Sequence, residues 1–190
     1  MTQDRPAASH SFRELVFSDY VRFRPGASPS WLGLLLRIPS TPGILASLLV
    51  RSQQCLHRSG RPRLAASLRT LGNTLIGADF GPGMNIGTGF MMVHPIGVTI
   101  GFGLTIGDNV TFAAGVTCAA RYYDDRTDEN EWATICDGAL VGTNAVLVGP
   151  VRIGTNAMVG ANTVVLSDVP DNAIVMGNPA RQVGMREAAS

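Results

Sequence analysis

The stretch from Ile135 to Asp168, ICDGAL-VGTNAV-LVGPVR-IGTNAM-VGANTV-VLSD, decides the fold. An apolar residue opens each block of six, at Ile135, Val141, Leu147, Ile153, Val159 and Val165. Three positions on stand Gly138, Asn144, Asn156, Asn162 and Asp168, types that tolerate a left-handed backbone at a tight turn, with Pro150 the exception. The next residue is small or apolar: Ala139, Ala145, Val151, Ala157, Thr163. Each hexad therefore reads as a short strand with one inward apolar residue, followed by a turn. Three strands make a triangular coil, and stacked coils bury a continuous apolar column that one coil could not.

The period extends upstream through Phe80, Ile86 and Met92, then Ile100, Ile106, Phe112 and Cys118, with Gly83, Gly89, Gly103, Asn109 and Gly115 at the turn position. It breaks twice. Two extra residues intervene between Met92 and Ile100, and His94 lies among them. Between Cys118 and Ile135 the spacing is no multiple of six, so residues 119–134 are expected to leave the coil as a loop. Interruptions of a regular solenoid are where binding groups tend to sit. Upstream, Phe12–Phe23, Trp31–Ile38, Gly43–His57 and Arg61–Leu71 carry apolar residues at helical spacing, divided by Pro, Gly and Ser. The expected organisation is a helical region over 1–75, a coil domain over 76–183 and a flexible tail over 184–190.

Composition removes several function classes. A chain of 190 residues with net charge +1 has no basic stripe for nucleic acid. Cys55, Cys118 and Cys136 lack metal-ligand spacing and are odd in number, so neither zinc nor a disulfide framework is expected, and a reduced cytoplasm fits. No secretory pattern is read at the N-terminus. The apolar run Trp31 to Val50 is interrupted by Arg37, Pro39, Pro42 and Gly43, which favours packed helices over membrane association.

Gly89-Phe90-Met91-Met92-Val93-His94-Pro95-Ile96-Gly97-Val98-Thr99-Ile100-Gly101, with Gly77-Ala78-Asp79-Phe80-Gly81-Pro82 before it and Gly177-Asn178-Pro179-Ala180-Arg181 after, resembles the serine O-acetyltransferases among the hexapeptide-repeat acyltransferases. The resemblance implies a mainly β fold, a left-handed parallel β-helix, and acetyl-CoA as co-substrate. It makes His94 the general base, a task that suits histidine because an unperturbed imidazole has a pKa of about 6.5, close to working pH. It makes Asp79 the carboxylate that orients that ring and stabilises the imidazolium. It carries CoA contacts onto Ala119, Ala120, Gly142, Thr143, Gly160, Ala161 and Arg181, where small residues let a cofactor approach the backbone and an arginine can meet a phosphate. It also implies a homotrimer or a dimer of trimers, with cofactor grooves between subunits.

The acceptor is read from departures. The family places an aspartate before the catalytic histidine and an arginine and a second histidine in the loop; here stand Val93 and Asn130-Glu131-Trp132-Ala133-Thr134. The expected acceptor is accordingly a hydroxyl compound other than free serine, such as a carbohydrate or specialised metabolite. Val93, Tyr122, Tyr123, Asp124 and Trp132 are its candidate contacts. The alternatives are serine O-acetylation, sugar N-acetylation and a non-catalytic trimeric scaffold. A zinc enzyme built on the same coil would need several histidines there, and the coil region holds only His94.

Overall fold

The computed structural model describes residues 10–122 and 131–187. Residues from Asp79 onward wind into a three-sided parallel β-helix. Its first face holds β1 (Asp79–Phe80), β4 (Thr99–Ile100), β7 (Thr117–Ala119), β10 (Val146–Val148) and β13 (Val164–Val165), hydrogen-bonded in that order. The second holds β2 (Asn85–Ile86), β5 (Thr105–Ile106), β8 (Thr134–Ile135) and β11 (Arg152–Ile153). The third holds β3 (Met91–Met92), β6 (Thr111–Phe112), β9 (Leu140–Val141), β12 (Met158–Val159), β14 (Ala173–Met176) and β15 (Arg181–Met185). Only β15 runs antiparallel, folding back on β14 beyond the expected end of the coil at 183.

Every third strand shares a face, as a hexad per side requires. The inward residues Phe80, Ile100, Cys118, Leu147 and Val165 line the first wall. Ile86, Ile106, Ile135 and Ile153 line the second, and Met92, Phe112, Val141 and Val159 the third. All are buried, and each such aliphatic or aromatic side chain contributes roughly 1.5–3 kcal/mol. Phe90 meets Phe112 edge-on with centroids 5.3 Å apart.

The turns carry the expected left-handed residues, including Asn109, Asn144, Asn156 and Asn162 at φ of 54–57°. Two positions differ. Where Pro150 breaks the pattern, Gly149 takes the positive φ of 76° one residue earlier, since proline's ring cannot. Asp168 is not left-handed; its Oδ1 accepts the Arg152 N–H at 2.7 Å, so its carboxylate, rather than its backbone, serves the turn.

Four helices cap the first coil: α1 (Phe12–Phe23), α2 (Trp31–Arg37), α3 (Pro42–Arg58) and α4 (Pro62–Ile76). Ser11 and Glu14 close a reciprocal capping box on α1, and α4 ends on left-handed Gly77. The attachment is polar and buried. Arg51 of α3 grips Asp19 of α1 through Nε and Nη2, both at 2.8 Å, and donates to the Ile86 carbonyl at 2.8 Å. Asp19 also accepts from the Ser47 hydroxyl and from the Phe90 N–H. Both members of the ion pair are essentially inaccessible to solvent. None of the described helices is long and apolar enough to cross a membrane.

Candidate functional site

The turn after each third-face strand leads onto the first face, and these turns stack into one corner. Gly97 donates to Gly77 O, Gly115 to Ile96 O, Asn144 to Ala114 O and Asn162 to Thr143 O, at 2.7–3.0 Å. His94 sits in this corner just after β3, where the two extra residues bulge outward. It is exposed and makes no hydrogen bond among the described residues. Val93 beside it is exposed too, its N–H fixed on Phe112 O at 3.0 Å.

Gly142 and Thr143, after β9, and Gly160 and Ala161, after β12, occupy the same corner further along the axis. A Cβ on Gly142 would lie 2.8 Å from Ala161 N, so coil stacking alone demands glycine there, whereas one on Gly160 would lie 2.7 Å from Met176 Cγ, a half-exposed side chain that can shift. Ala119 and Ala120 lie at the opposite edge of the first face, where Ala119 O accepts from Gly149 N at 2.8 Å. Arg181 opens β15 with an exposed guanidinium whose bond is to its own neighbour's carbonyl, Ala180 O.

Between these edges runs a row of register partners facing outward: Asp79, Thr99, Thr117, Val146 and Val164. Asp79 heads the row at the end nearest His94. The expectation that its carboxylate orients His94 meets a different arrangement: Oδ1 takes Arg69 Nε at 2.5 Å and Oδ2 takes Arg69 Nη2 at 2.7 Å, and no Asp79–His94 bond is present. The Arg69 guanidinium in turn lies 5.2 Å from the Phe102 ring centroid. The hydrogen bonds to Asp79 raise the Arg69 pKa, against partial desolvation. Arg69 and Phe102 are functional candidates that the repeat pattern did not single out. Arg69 lies on a helix outside the six-residue period, and Phe102 is the residue between two turn glycines, where the pattern is silent.

The excursion leaves after β7 and returns through Trp132. Its side chain is half-buried against the coil, the six-membered ring over Gly101 and the five-membered ring over Gly103. Tyr122 stands exposed at the departing end, while Tyr123 and Asp124 lie outside the described residues. Among the described residues no His, Cys, Asp and Glu group could hold a metal.

Comparison with known proteins follows the same lines. Residues 133–167 match the bacterial transferase hexapeptide (six repeats) family. The serine acetyltransferase of Helicobacter pylori is 33% identical over 159 residues, spanning 84% of this chain and 89% of that one. A soybean serine acetyltransferase solved in complex with serine superposes with a TM-score of 0.78 at 34% identity, covering 91% of this chain and 70% of that one. A serine acetyltransferase solved with CoA gives 0.76 at 28% identity, covering 91% and 70%. The chain spans 43% and 48% of two longer Arabidopsis thaliana relatives.

These relatives overturn the expectation of an acceptor other than free serine. They are named for serine, and the soybean structure holds it. Departures at two positions, Val93 and Trp132, do not by themselves exclude a small zwitterion, which a site holds with a small number of placed polar groups. With the three-sided coil, the helical cap and matched relatives over most of its length, this chain belongs to the serine acetyltransferase family.

Proposed function

We propose that the protein is a serine O-acetyltransferase that uses acetyl-CoA and no metal. His94 removes the proton from the serine hydroxyl as its oxygen attacks the thioester carbonyl. A C–O bond forms, the tetrahedral oxyanion is held by backbone N–H donors, the C–S bond breaks, and the imidazolium returns the proton to the departing thiolate. The products are O-acetylserine and CoA. The observation that carries this reading is His94 itself, exposed and unbonded where the repeat breaks, on the corner shared by Gly142, Thr143, Gly160 and Ala161. Thr143 and Ala161, whose size coil stacking does not fix as it does that of Gly142, offer the better reading as cofactor contacts, with Arg181 toward a CoA phosphate.

The reading includes a homotrimer or dimer of trimers, with the cofactor groove between neighbouring subunits. The test is thiol release from acetyl-CoA with L-serine, for wild type and His94→Ala. Serine-dependent release falling by roughly a hundredfold or more in the variant is expected, as loss of a general base predicts. Wild-type turnover without dependence on L-serine, or an unaffected variant, sinks it.

A further inference from the structure

We propose that Arg69 is a positioning residue: its guanidinium, seated on Phe102, holds the Asp79 carboxylate in the orientation from which Asp79 steers the His94 ring. The inference rests on the role of His94 and Asp79 in the proposed function and adds a residue from the helical cap to it.

Three observations support it. First, the pairing is a fork: Nε and Nη2 each take a different oxygen of Asp79, at 2.5 and 2.7 Å, which fixes the carboxylate plane as a single bond could not. Each carboxylate oxygen has two acceptor sites, so one on each remains for an imidazole N–H. Second, Arg69 is the only group bonded to the Asp79 side chain among the described residues, and without it the side chain of a two-residue strand would be free to turn. Third, the guanidinium itself rests over the Phe102 ring, 5.2 Å from its centroid. Phe102 is 48% exposed and lies between Gly101 and Gly103, the glycines that Trp132 covers. A chain of contacts thus runs from the returning end of the excursion through Phe102 and Arg69 to Asp79. The ion pair is partly open to solvent, with side-chain accessibilities of 34% and 26%, so its contribution to stability is small. Its geometry is what the site would use.

The test is a double-mutant cycle on kcat and KM with acetyl-CoA and L-serine. Arg69→Met is expected to lower kcat on the order of tenfold to a hundredfold, the scale of a misplaced catalytic group, with KM for acetyl-CoA unchanged. Placed in an Asp79→Asn background, it should cost nothing more. Arg69→Lys keeps the charge without the fork and should fall between the two. Phe102→Ala, which leaves both charges in place, should lower kcat in the same direction by less. A readout free of turnover is the tautomer of His94 in long-range nitrogen–proton spectra, which should change alike in Arg69→Met and Asp79→Asn. Losses that add in the cycle make Arg69 merely structural, and a kcat that rises in Arg69→Met makes it a competitor for Asp79; either result overturns the proposal, as does an unaltered His94 tautomer. If wild type fails to use L-serine, the proposed function falls while the tautomer comparison still decides the role of Arg69.

Discussion

Gly101→Ala is the sharpest probe of how the excursion is seated. Gly101 does not have a positive φ, so alanine would meet no backbone strain there, and its cost is steric alone. The added Cβ would overlap Trp132 at Cζ3 and Cη2, the benzo end of the ring, while a Cβ at Gly103 would stand 2.9 Å from Cδ1. The indole thus packs against both glycines, one at each end of the ring system. Moving it strips contacts from a half-buried aromatic packed on the coil, so the expected loss of stability is about 1–3 kcal/mol, the range for overpacking a filled site. Only two tryptophans are present, so in a Trp31→Phe background the emission of Trp132 reports directly. Gly101→Ala should shift that emission to the red and lower the urea midpoint. The same substitution in Trp132→Ala should cost clearly less, because that collision partner is gone. Unchanged emission with a loss under about 0.5 kcal/mol, within the range of an ordinary surface change, would refute the packing argument.

Arg51→Met should cost roughly 3–5 kcal/mol, because it strands the buried Asp19 carboxylate, and Asp19→Asn with Arg51→Met together should recover part of it; circular dichroism melts of the three variants check this. Burial pushes the Cys118 thiol up to about 12 from an ordinary 9.0. The folded protein therefore keeps a proton that the unfolded chain releases from about pH 9 upward, and stability should fall as pH rises from about 9 toward 12. Chemical denaturation against pH should show that decline in wild type relative to Cys118→Ala, and parallel curves would contradict it. Asn162 has φ of 54°, so Asn162→Ala should cost about 1 kcal/mol while Asn162→Gly should be nearly neutral, read by urea unfolding.

What was legible in the sequence was what repeats. Phe80, Ile100, Cys118, Leu147 and Val165 share a wall because a period of six over three sides brings every third hexad onto one face, and no distant contact is needed to read it. The helices were legible for a similar reason, although α4 runs five residues beyond the expected Leu71, carrying Gly72 buried within it and stopping only at left-handed Gly77. Asp168 shows the limit of a residue-type rule: aspartate tolerates the left-handed turn, yet a carboxylate within reach of Arg152 N–H has a second way to serve it. The Asp19–Arg51 pair was invisible because 32 residues separate its members and neither follows a period.

The site divides along the same line. His94 could be found because it breaks a pattern, whereas the setting of Asp79 could not, since Arg69 belongs to a helix whose docking on the first coil no local spacing encodes. The error over the acceptor has the same origin. Val93 stands where the family has a carboxylate, and Asn130-Glu131-Trp132-Ala133-Thr134 where it has an arginine and a histidine, but in the folded chain Trp132 is a presence: it packs on Gly101 and Gly103, next to the turn whose Phe102 supports Arg69. A substitution at a matched position can remove one contact and at the same time rebuild the wall that carried it. Recognition of a small charged substrate depends on the summed charges of a whole wall, so departures at two positions of a family pattern do not by themselves fix what a site accepts.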